Sequence, residues 1–262
     1  MDATAPNAEQ VTFWNEQAGP IWVARQTKLD RMITPFGERA MAALAPRPGE
    51  RIIDVGCGCG DTSLAIGRRV TPSGSVLGLD ISSRCWGARA NGRPPKGSRI
   101  VRFVAGDAQT HAVAPGSADA IFSRFGVMFF VDPTAAFANL RTALQPDGRL
   151  AFVCWQRSSR EESLDDDDGH GARLGGTAAS TAGAGRSGTV LARRPERVRR
   201  ILDGAGFRDV AVVPFDIDIV VGGGGTLDET AEFALDLGPR RRAAPGGPEI
   251  RPQGAWPHSA RP

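Results

Sequence analysis

The segment DVGCGCG (residues 54–60) follows the stretch RII (residues 51–53) and precedes TSLAI (residues 62–66), whose composition is typical of a helix. Three glycines at alternate positions, Gly56, Gly58 and Gly60, remove side chains where a loop turns tightly and where a ligand lies against bare backbone. The helix that follows offers its N-terminus to the same ligand. The segment therefore predicts a ligand-binding strand, loop and helix.

The charge beside the glycines narrows the class of ligand. Asp61 stands where a dinucleotide fingerprint has its third glycine, so the fit to that motif is poor. Asp54 would repel a pyrophosphate, but its carboxylate can hold the ammonium group of an amino-acid ligand, directly or through water. These residues favour a cofactor that contains an amino acid and a nucleoside but no phosphate, and S-adenosylmethionine is the common one.

Polar residues also follow three further predicted strands. Asp80 ends the second strand and suits the two hydroxyls of a ribose. Asp107 follows the third strand and can accept from an adenine amino group, while the Ala108 N–H can donate to a ring nitrogen. The fourth strand leads to Ser123-Arg124. Since ligands bind at the carboxyl edge of open α/β sheets, these residues predict one shared site. The three strands are predicted at residues 75–80, 100–105 and 118–122.

Together these segments resemble the class I S-adenosylmethionine-dependent methyltransferases, in particular the branch of the ubiquinone and menaquinone biosynthesis C-methyltransferases. The N-terminal Phe13-Trp14-Asn15 and Trp22 also look like the cap helices of bacterial members. The resemblance covers residues 11–157 well and residues 192–238 loosely. The segments that carry it are the glycine segment, GLDI (78–81), GDAQ (106–109), FGVMFF (125–130) and LQPDGRL (144–150).

The resemblance implies a Rossmann-like α/β fold, in which helices flank a mostly parallel twisted sheet and an N-terminal helical cap covers it. It also implies in-line transfer of a methyl group from S-adenosylmethionine to a small-molecule acceptor. Ser123 with its neighbour Arg124 would edge the methyl-transfer channel. The expected cofactor-binding residues are Asp54, Gly56, Cys57, Gly58 and Gly60 for the methionine portion, Asp80 and Ile81 for the ribose, Asp107 and Ala108 for the adenine, and Ser123 beside them.

No residue stands out as catalytic. His111 follows the third strand and is a weak candidate for a general base, against the simpler interpretation of an exposed loop histidine. Trp14 and Trp22 either line the acceptor pocket or anchor the N-terminal helix. The pair Cys57 and Cys59 has no second Cys/His cluster, and the acidic run at residues 165–168 beside His170 is typical of a solvated linker, so no metal is expected.

Composition limits the class of protein. At 262 residues and 41% hydrophobic content, the chain can bury one α/β core. The net charge of +3 comes without a concentrated basic stripe, which argues against nucleic-acid binding. The sequence contains no apolar run of the ~20 residues that a membrane span needs, and the N-terminus lacks the features of a signal peptide. We therefore expect a cytoplasmic protein, whose four cysteines do not form a disulfide framework.

Local signals predict the helices outside the core. Thr34 is interpreted as an N-cap, with Pro35 as the first helical residue. Thr226 and Glu229 form a capping box that begins a last helix. The expected divisions are a helical cap (1–45), the cofactor-binding core (46–157), a disordered insertion (158–190), the C-terminal part of the α/β domain (191–238) and a disordered tail (239–262).

Three stretches break the family pattern, at residues 83–99, 158–190 and 239–262. They are rich in Arg, Gly, Pro and Ala, and we interpret them as out-of-frame translation of a GC-rich gene.

Two other functions stay open on sequence alone: a degenerate, non-catalytic cofactor-binding protein, and a nucleotide-dependent oxidoreductase. The sequence does not specify the methyl acceptor, the pathway or the oligomeric state.

Overall fold

The computed structural model describes residues 6–84, 100–156, 175–178, 186–188 and 195–237. Most of the three anomalous stretches lies outside these residues. Two short strands, at residues 175–178 and 186–188, fall within the predicted insertion. The proposed division into cap, core, insertion and tail, and the frame-shift hypothesis, stay predictions.

Five parallel strands form the centre of the sheet, in the order β3-β2-β1-β4-β5. Ile53 of β1 lies between Leu77 of β2 and Ile121 of β4. The sequence analysis predicts β1 to β4, and the doubly wound order confirms the predicted fold class. The strands are β1 (Arg51–Val55), β2 (Ser75–Asp80), β3 (Val101–Ala105), β4 (Ala118–Arg124) and β5 (Leu144–Gln156).

The sheet continues beyond β5 with shorter strands. β6 pairs antiparallel with β5 and with β9, and β7 pairs parallel with β5 and β8. These strands are β6 (Gly175–Ala178), β7 (Arg186–Gly188), β8 (Arg208–Ala211) and β9 (Val213–Asp216).

Helices cover both faces because the central strands are apolar on both sides, as buried parallel strands are. Ile52, Ile53, Ile121 and Phe122 are each at most 3% exposed. The helices are α1 (Ala8–Thr12), α2 (Ala18–Ala24), α3 (Gln26–Leu44), α4 (Asp61–Val70), α5 (Pro133–Thr142), α6 (Pro195–Gly204) and α7 (Leu227–Leu237), with a π-helical turn (Phe13–Gln17) between α1 and α2. None of the described helices is long and apolar enough to cross a membrane.

The prediction that a helix begins at Thr34 and Pro35 is wrong, because both residues lie inside α3. The buried stripe of α3 begins before the proline, at Leu29 and Ile33, and continues after it at Phe36. This continuous apolar face stabilises one helix through a position where proline removes a backbone donor. The Thr34 hydroxyl donates to the Asp30 carbonyl at 2.6 Å instead of capping a new helix.

The other helix predictions agree better with the structure. The Thr226 hydroxyl accepts from the Glu229 N–H at 3.2 Å, while the Glu229 carboxylate accepts from the Thr226 N–H at 2.9 Å, which confirms the capping box. Phe137 and Leu140 lie on the buried face of α5, and Leu144 begins β5. The parallel core brings the ends of β1 to β4 to one edge of the sheet.

Candidate functional site

A cavity of about 470 Å³ lies at the carboxyl edge of the sheet. Its volume is in the range of small-molecule sites. The loops after β1, β2, β3 and β4 form one part of the wall, and α2, α3 and the residues before them form the rest. Of the predicted cofactor-binding residues, those that line the cavity are Gly56, Cys57, Gly58, Asp80, Ile81, Asp107 and Ala108.

The glycine loop presents backbone to the cavity. Gly56 and Gly58 have φ values of +65° and +52°, a region that side chains with a Cβ rarely adopt. A Cβ placed on Gly58 would meet no atom closer than the Trp22 Nε1, at 3.9 Å, so it would project into the space beside the cavity. The loop therefore leaves room for a ligand next to its backbone.

Asp80, at the end of β2, fixes the glycine loop. Its Oδ2 accepts from the Gly58 N–H at 2.7 Å, and its Oδ1 accepts from the Ser82 N–H at 2.8 Å. Burial raises the pKa of the Asp80 carboxyl, and the two backbone hydrogen bonds oppose that shift. Each carboxylate oxygen retains a second lone pair, so Asp80 can accept from ligand hydroxyls as well.

Asp107 is held on both oxygens in the loop after β3. Its Oδ1 accepts from the Gln109 N–H at 2.9 Å, and its Oδ2 accepts from the Asn7 side-chain amide at 2.7 Å. Asn7 also lines the cavity. Sequence analysis missed Asn7, since an asparagine just before a helix is ordinarily interpreted as an N-cap.

Asp54 does not line the cavity. It is fully buried, and its Oδ2 accepts from the hydroxyls of Thr62 and Ser63 at 2.7 and 2.6 Å. Its Oδ1 is buried with no hydrogen-bond partner among the described residues. Burial raises the pKa of Asp54 to about 6, and the hydroxyls of Ser63 and Thr62 limit the shift. Asp54 therefore does not reach the cavity surface, and its predicted role stays a prediction.

Three other predicted residues also lie outside the cavity wall. Gly60 is the N-cap of α4 and packs against Phe103. The Ser123 hydroxyl is buried, donates to the Val55 carbonyl at 2.7 Å and accepts from a loop N–H. His111 is half-buried and does not line the cavity, so its position does not support a role as general base.

Arg124, predicted only as a neighbour of Ser123, does line the cavity. It forms ion pairs with Asp30 of α3 at 2.7 Å and with Asp61 at the start of α4 at 3.2 Å. Asp30 also lines the cavity, and burial raises the pKa of its carboxyl while Arg124 opposes that shift. The three side chains connect the N-terminal helices to the glycine loop region.

The remaining wall is apolar and rich in aromatic rings. Trp14 makes edge-to-face contacts with Trp22 and Phe129, at centroid distances of 5.7 and 5.0 Å. Phe125 stacks on Trp155 at 4.1 Å. Both tryptophans left open by the sequence thus line the cavity and also hold the N-terminal helices to it. The other large apolar lining residues are Leu29, Met32, Ile33, Val55, Leu79, Met128 and Phe130.

Residues 53–152 match a known family, described as "Methyltransferase domain". This segment is therefore similar to methyltransferase domains. It includes the glycine loop and all four strand ends that meet at the cavity. Among relatives, the chain is 34% identical over 119 residues to nocamycin O-methyltransferase of Saccharothrix syringae, covering 45% of this chain and 42% of the relative. It is 30% identical over 120 residues to the aklanonic acid methyltransferase of a Streptomyces species, covering 46% and 54%.

A third relative is the demethylmenaquinone methyltransferase of Staphylococcus carnosus, 28% identical over 121 residues, with 46% of this chain and 48% of the relative covered. The chain thus spans about half the length of these relatives. Among solved structures, it is similar to a chain in a complex containing the Haloferax volcanii Trm112 methyltransferase activator. The TM-score is 0.52 at 19% identity, covering 85% of this chain and 92% of that chain, a likeness of fold.

The cofactor of class I methyltransferases is S-adenosylmethionine, and the residues present fit it. The methyltransferase domain offers two carboxylates at strand ends, Asp80 and Asp107, for the polar groups of a nucleoside. Gly58 leaves space beside the loop, and the Ala108 N–H makes no hydrogen bond within the described part of the chain. Among the described residues, no group of three or more His, Cys, Asp or Glu side chains is placed to hold a metal ion.

Proposed function

We propose that this chain is an S-adenosylmethionine-dependent methyltransferase that acts on a small-molecule acceptor. One observation carries the proposal: the glycine loop, Asp80 and Asp107 meet in a single cavity whose other wall is aromatic. A nucleoside cofactor fits the polar end, and an apolar acceptor fits the aromatic end. The match of residues 53–152 to a methyltransferase domain supports this division.

In the proposed complex, the nucleoside is bound at the polar end. Asp80 accepts from the ribose hydroxyls, since its carboxylate lies at the end of β2 and faces the cavity. Asp107 accepts from the adenine amino group, and the Ala108 N–H donates to the ring. The backbone of Gly56 and Gly58 lies along the methionine portion.

When bound, S-adenosylmethionine supplies a methyl group on a sulfonium whose leaving group is a neutral thioether. The protein therefore has to align the acceptor and exclude water, and it needs little acid-base chemistry. Trp14, Trp22 and Phe129 are suited to this task because they form a connected apolar wall. Their ring faces also attract a cation, which favours the sulfonium beside them.

The same wall favours a flat, largely apolar acceptor. Aromatic rings provide a large contact area for planar molecules, and few polar groups interrupt this part of the cavity. The names of two relatives, nocamycin O-methyltransferase and aklanonic acid methyltransferase, support a small-molecule acceptor.

Calorimetric titration with S-adenosylhomocysteine tests the cofactor assignment. We expect Asp80→Ala to weaken binding by about 1.5 to 3 kcal/mol, roughly ten- to a hundredfold, because charge-assisted hydrogen bonds are lost. Asp119→Ala is the matched control: Asp119 pairs with Arg51 at 2.9 Å, at the opposite end of the strands, so this variant should bind normally. Equal affinity in folded wild-type and Asp80→Ala proteins would contradict the ribose assignment.

Two further measurements separate this proposal from its alternatives. Tighter binding of NAD than of S-adenosylhomocysteine would favour an oxidoreductase. A screen of phenols, quinols and carboxylic acids with radiolabelled S-adenosylmethionine then tests transfer. Cofactor binding without turnover on any acceptor would favour a non-catalytic binding protein.

A further inference from the structure

Asn7 connects three parts of the chain that are far apart in sequence. Its side-chain amide donates to Asp107 Oδ2 at 2.7 Å and to Gln109 Oε1 at 3.3 Å. Its side-chain oxygen accepts from the Val131 N–H at 2.9 Å. The residue is 2% exposed, although it precedes a short helix near the N-terminus. Asn7 thus joins the N-terminal segment to the loop after β3 and to the segment before α5.

These contacts replace the ordinary role of an asparagine at this position. Asn7 is the N-cap of α1, but its side chain makes no capping hydrogen bond. Both amide hydrogens are directed to the loop after β3 instead, and one of them reaches a carboxylate. Hydrogen bonds to a charged group are stronger than the neutral bond that a cap provides. The arrangement therefore serves Asp107 rather than α1.

Asp107 lines the cavity and is the carboxylate that the proposed function assigns to the adenine. The Gln109 N–H holds one of its oxygens and Asn7 holds the other, so the plane of the carboxylate is fixed. A second link strengthens this arrangement, because Gln109 Oε1 also accepts from the Asp132 N–H at 3.0 Å. An acceptor with a fixed direction discriminates between ligands better than a rotating one.

We infer that Asn7 is a positioning residue for recognition of the adenine 6-amino group, and that closure of the N-terminal segment is coupled to cofactor binding. The inference rests on the proposed function, because it assigns the adenine to Asp107. Asn7 acts through Asp107 and orients its carboxylate toward the ligand. The N-terminal segment then completes the nucleoside site as well as covering it.

The test compares two ligands: S-adenosylhomocysteine, and its analogue in which hydrogen replaces the 6-amino group. We expect wild-type protein to bind S-adenosylhomocysteine about tenfold more tightly or better, since the analogue leaves Asp107 without its donor. In Asn7→Ala this preference should fall to about threefold or less, through weaker binding of S-adenosylhomocysteine. Asn7→Asp, which places two carboxylates against each other, should reduce it further at neutral pH.

Asn15→Ala is the matched control. Asn15 also ties the N-terminal segment to the body, since it donates to the Ile81 carbonyl at 3.3 Å and accepts from the Ser83 N–H at 3.2 Å, but it does not touch Asp107. General loosening of the segment should weaken both ligands by the same factor. Asn15→Ala should therefore keep the wild-type preference.

A measurement on the wild-type protein tests the coupling without a variant. The Val131 amide donates to Asn7, so S-adenosylhomocysteine should slow its hydrogen exchange if closure accompanies binding. Unchanged exchange at Val131 on ligand binding would refute the coupling, and an unaltered ligand preference in folded Asn7→Ala would refute the positioning role. Failure of wild-type protein to bind either ligand would overturn the proposed function and this inference together.

Discussion

Replacement of Asp54 by asparagine should change how the stability of this protein depends on pH. Asp54 is fully buried, and its pKa rises from 3.8 to about 6 in the folded protein. Because the folded state holds this proton more tightly than the unfolded state, the carboxyl favours folding most below pH ~4. That contribution is lost as the pH rises through about 6, and the ionised group then destabilises the folded state.

The size of the effect follows from the pKa shift. A rise of the pKa from 3.8 to about 6 makes ionised Asp54 cost about 3 kcal/mol at pH 7.5. At pH 5 the folded protein keeps most of the proton, and the cost falls to about half of this value. The asparagine of Asp54→Asn cannot titrate. Between pH 5 and pH 7.5, the wild-type protein should therefore lose about 1 to 2 kcal/mol of unfolding free energy relative to the variant.

Urea denaturation of both proteins at the two pH values measures this difference. The change in unfolding free energy between the two pH values is the quantity to compare. The absolute stability of Asp54→Asn also contains the effect of an NH₂ group that replaces a buried oxygen without a partner, and this effect is the same at both pH values. Asp119→Asn gives a control that should show no such difference: the hydrogen bond from Arg51 lowers the pKa of Asp119 below 3.8, so its contribution is lost only at more acidic pH than either measurement. Parallel stability curves for wild-type and Asp54→Asn proteins would refute the reasoning.

The same variant tests the predicted link between Asp54 and the ammonium group of the cofactor. If ionised Asp54 attracts this group through water, affinity for S-adenosylhomocysteine should rise between pH 5 and pH 7.5 in the wild-type protein. The rise should be smaller in Asp54→Asn. An identical pH dependence in the two proteins would remove Asp54 from the cofactor site.

Three other substitutions have specific expected outcomes. Gly56→Ala places a Cβ against the backbone of the loop after β4 at a φ of +65°, so it should lower both the melting temperature and the cofactor affinity. Gly116→Ala is its control, because Gly116 also has a positive φ but an added Cβ there meets no backbone. This variant should lose about 1 kcal/mol of unfolding free energy and keep the wild-type affinity. Arg149→Met leaves Glu50 without its buried partner, and two helix carbonyls without a donor, so urea denaturation should show a loss of about 3 to 5 kcal/mol. Trp14→Ala should raise the acceptor KM in steady-state assays more than it weakens S-adenosylhomocysteine binding, and the reverse outcome would move Trp14 to the cofactor end.

The sequence predicts the polar end of the cavity because topology alone brings those residues together. Asp80 and Asp107 each follow a strand, and the carboxyl ends of parallel strands meet at one edge. The glycine spacing likewise specifies a loop that leaves room for a ligand. These features depend on local pattern and on the strand order, which the alternation of strands and helices predicts.

The rest of the site depends on packing between distant segments. Asn7 and Asp107 are 100 residues apart, and nothing in the local sequence distinguishes Asn7 from an ordinary N-cap. The ion pair between Arg124 and Asp30 spans 94 residues, and Asp30 lies in the part of α3 that precedes Pro35. Proline at this position predicts a helix start, and only the buried stripe on both sides of it reverses that prediction.

The buried carboxyl of Asp54, just before the glycine loop, destabilises the folded protein when it is ionised. Its ionised form costs about 3 kcal/mol near neutral pH. A ligand at a hundred times its Kd stabilises the folded state by about 2.7 kcal/mol, which is similar to the penalty at Asp54. Asp54→Asn relieves that penalty in the absence of ligand and weakens the proposed attraction to the cofactor. A variant with higher stability alone and a smaller thermal shift with S-adenosylhomocysteine would therefore identify Asp54 as a residue maintained for binding rather than for folding.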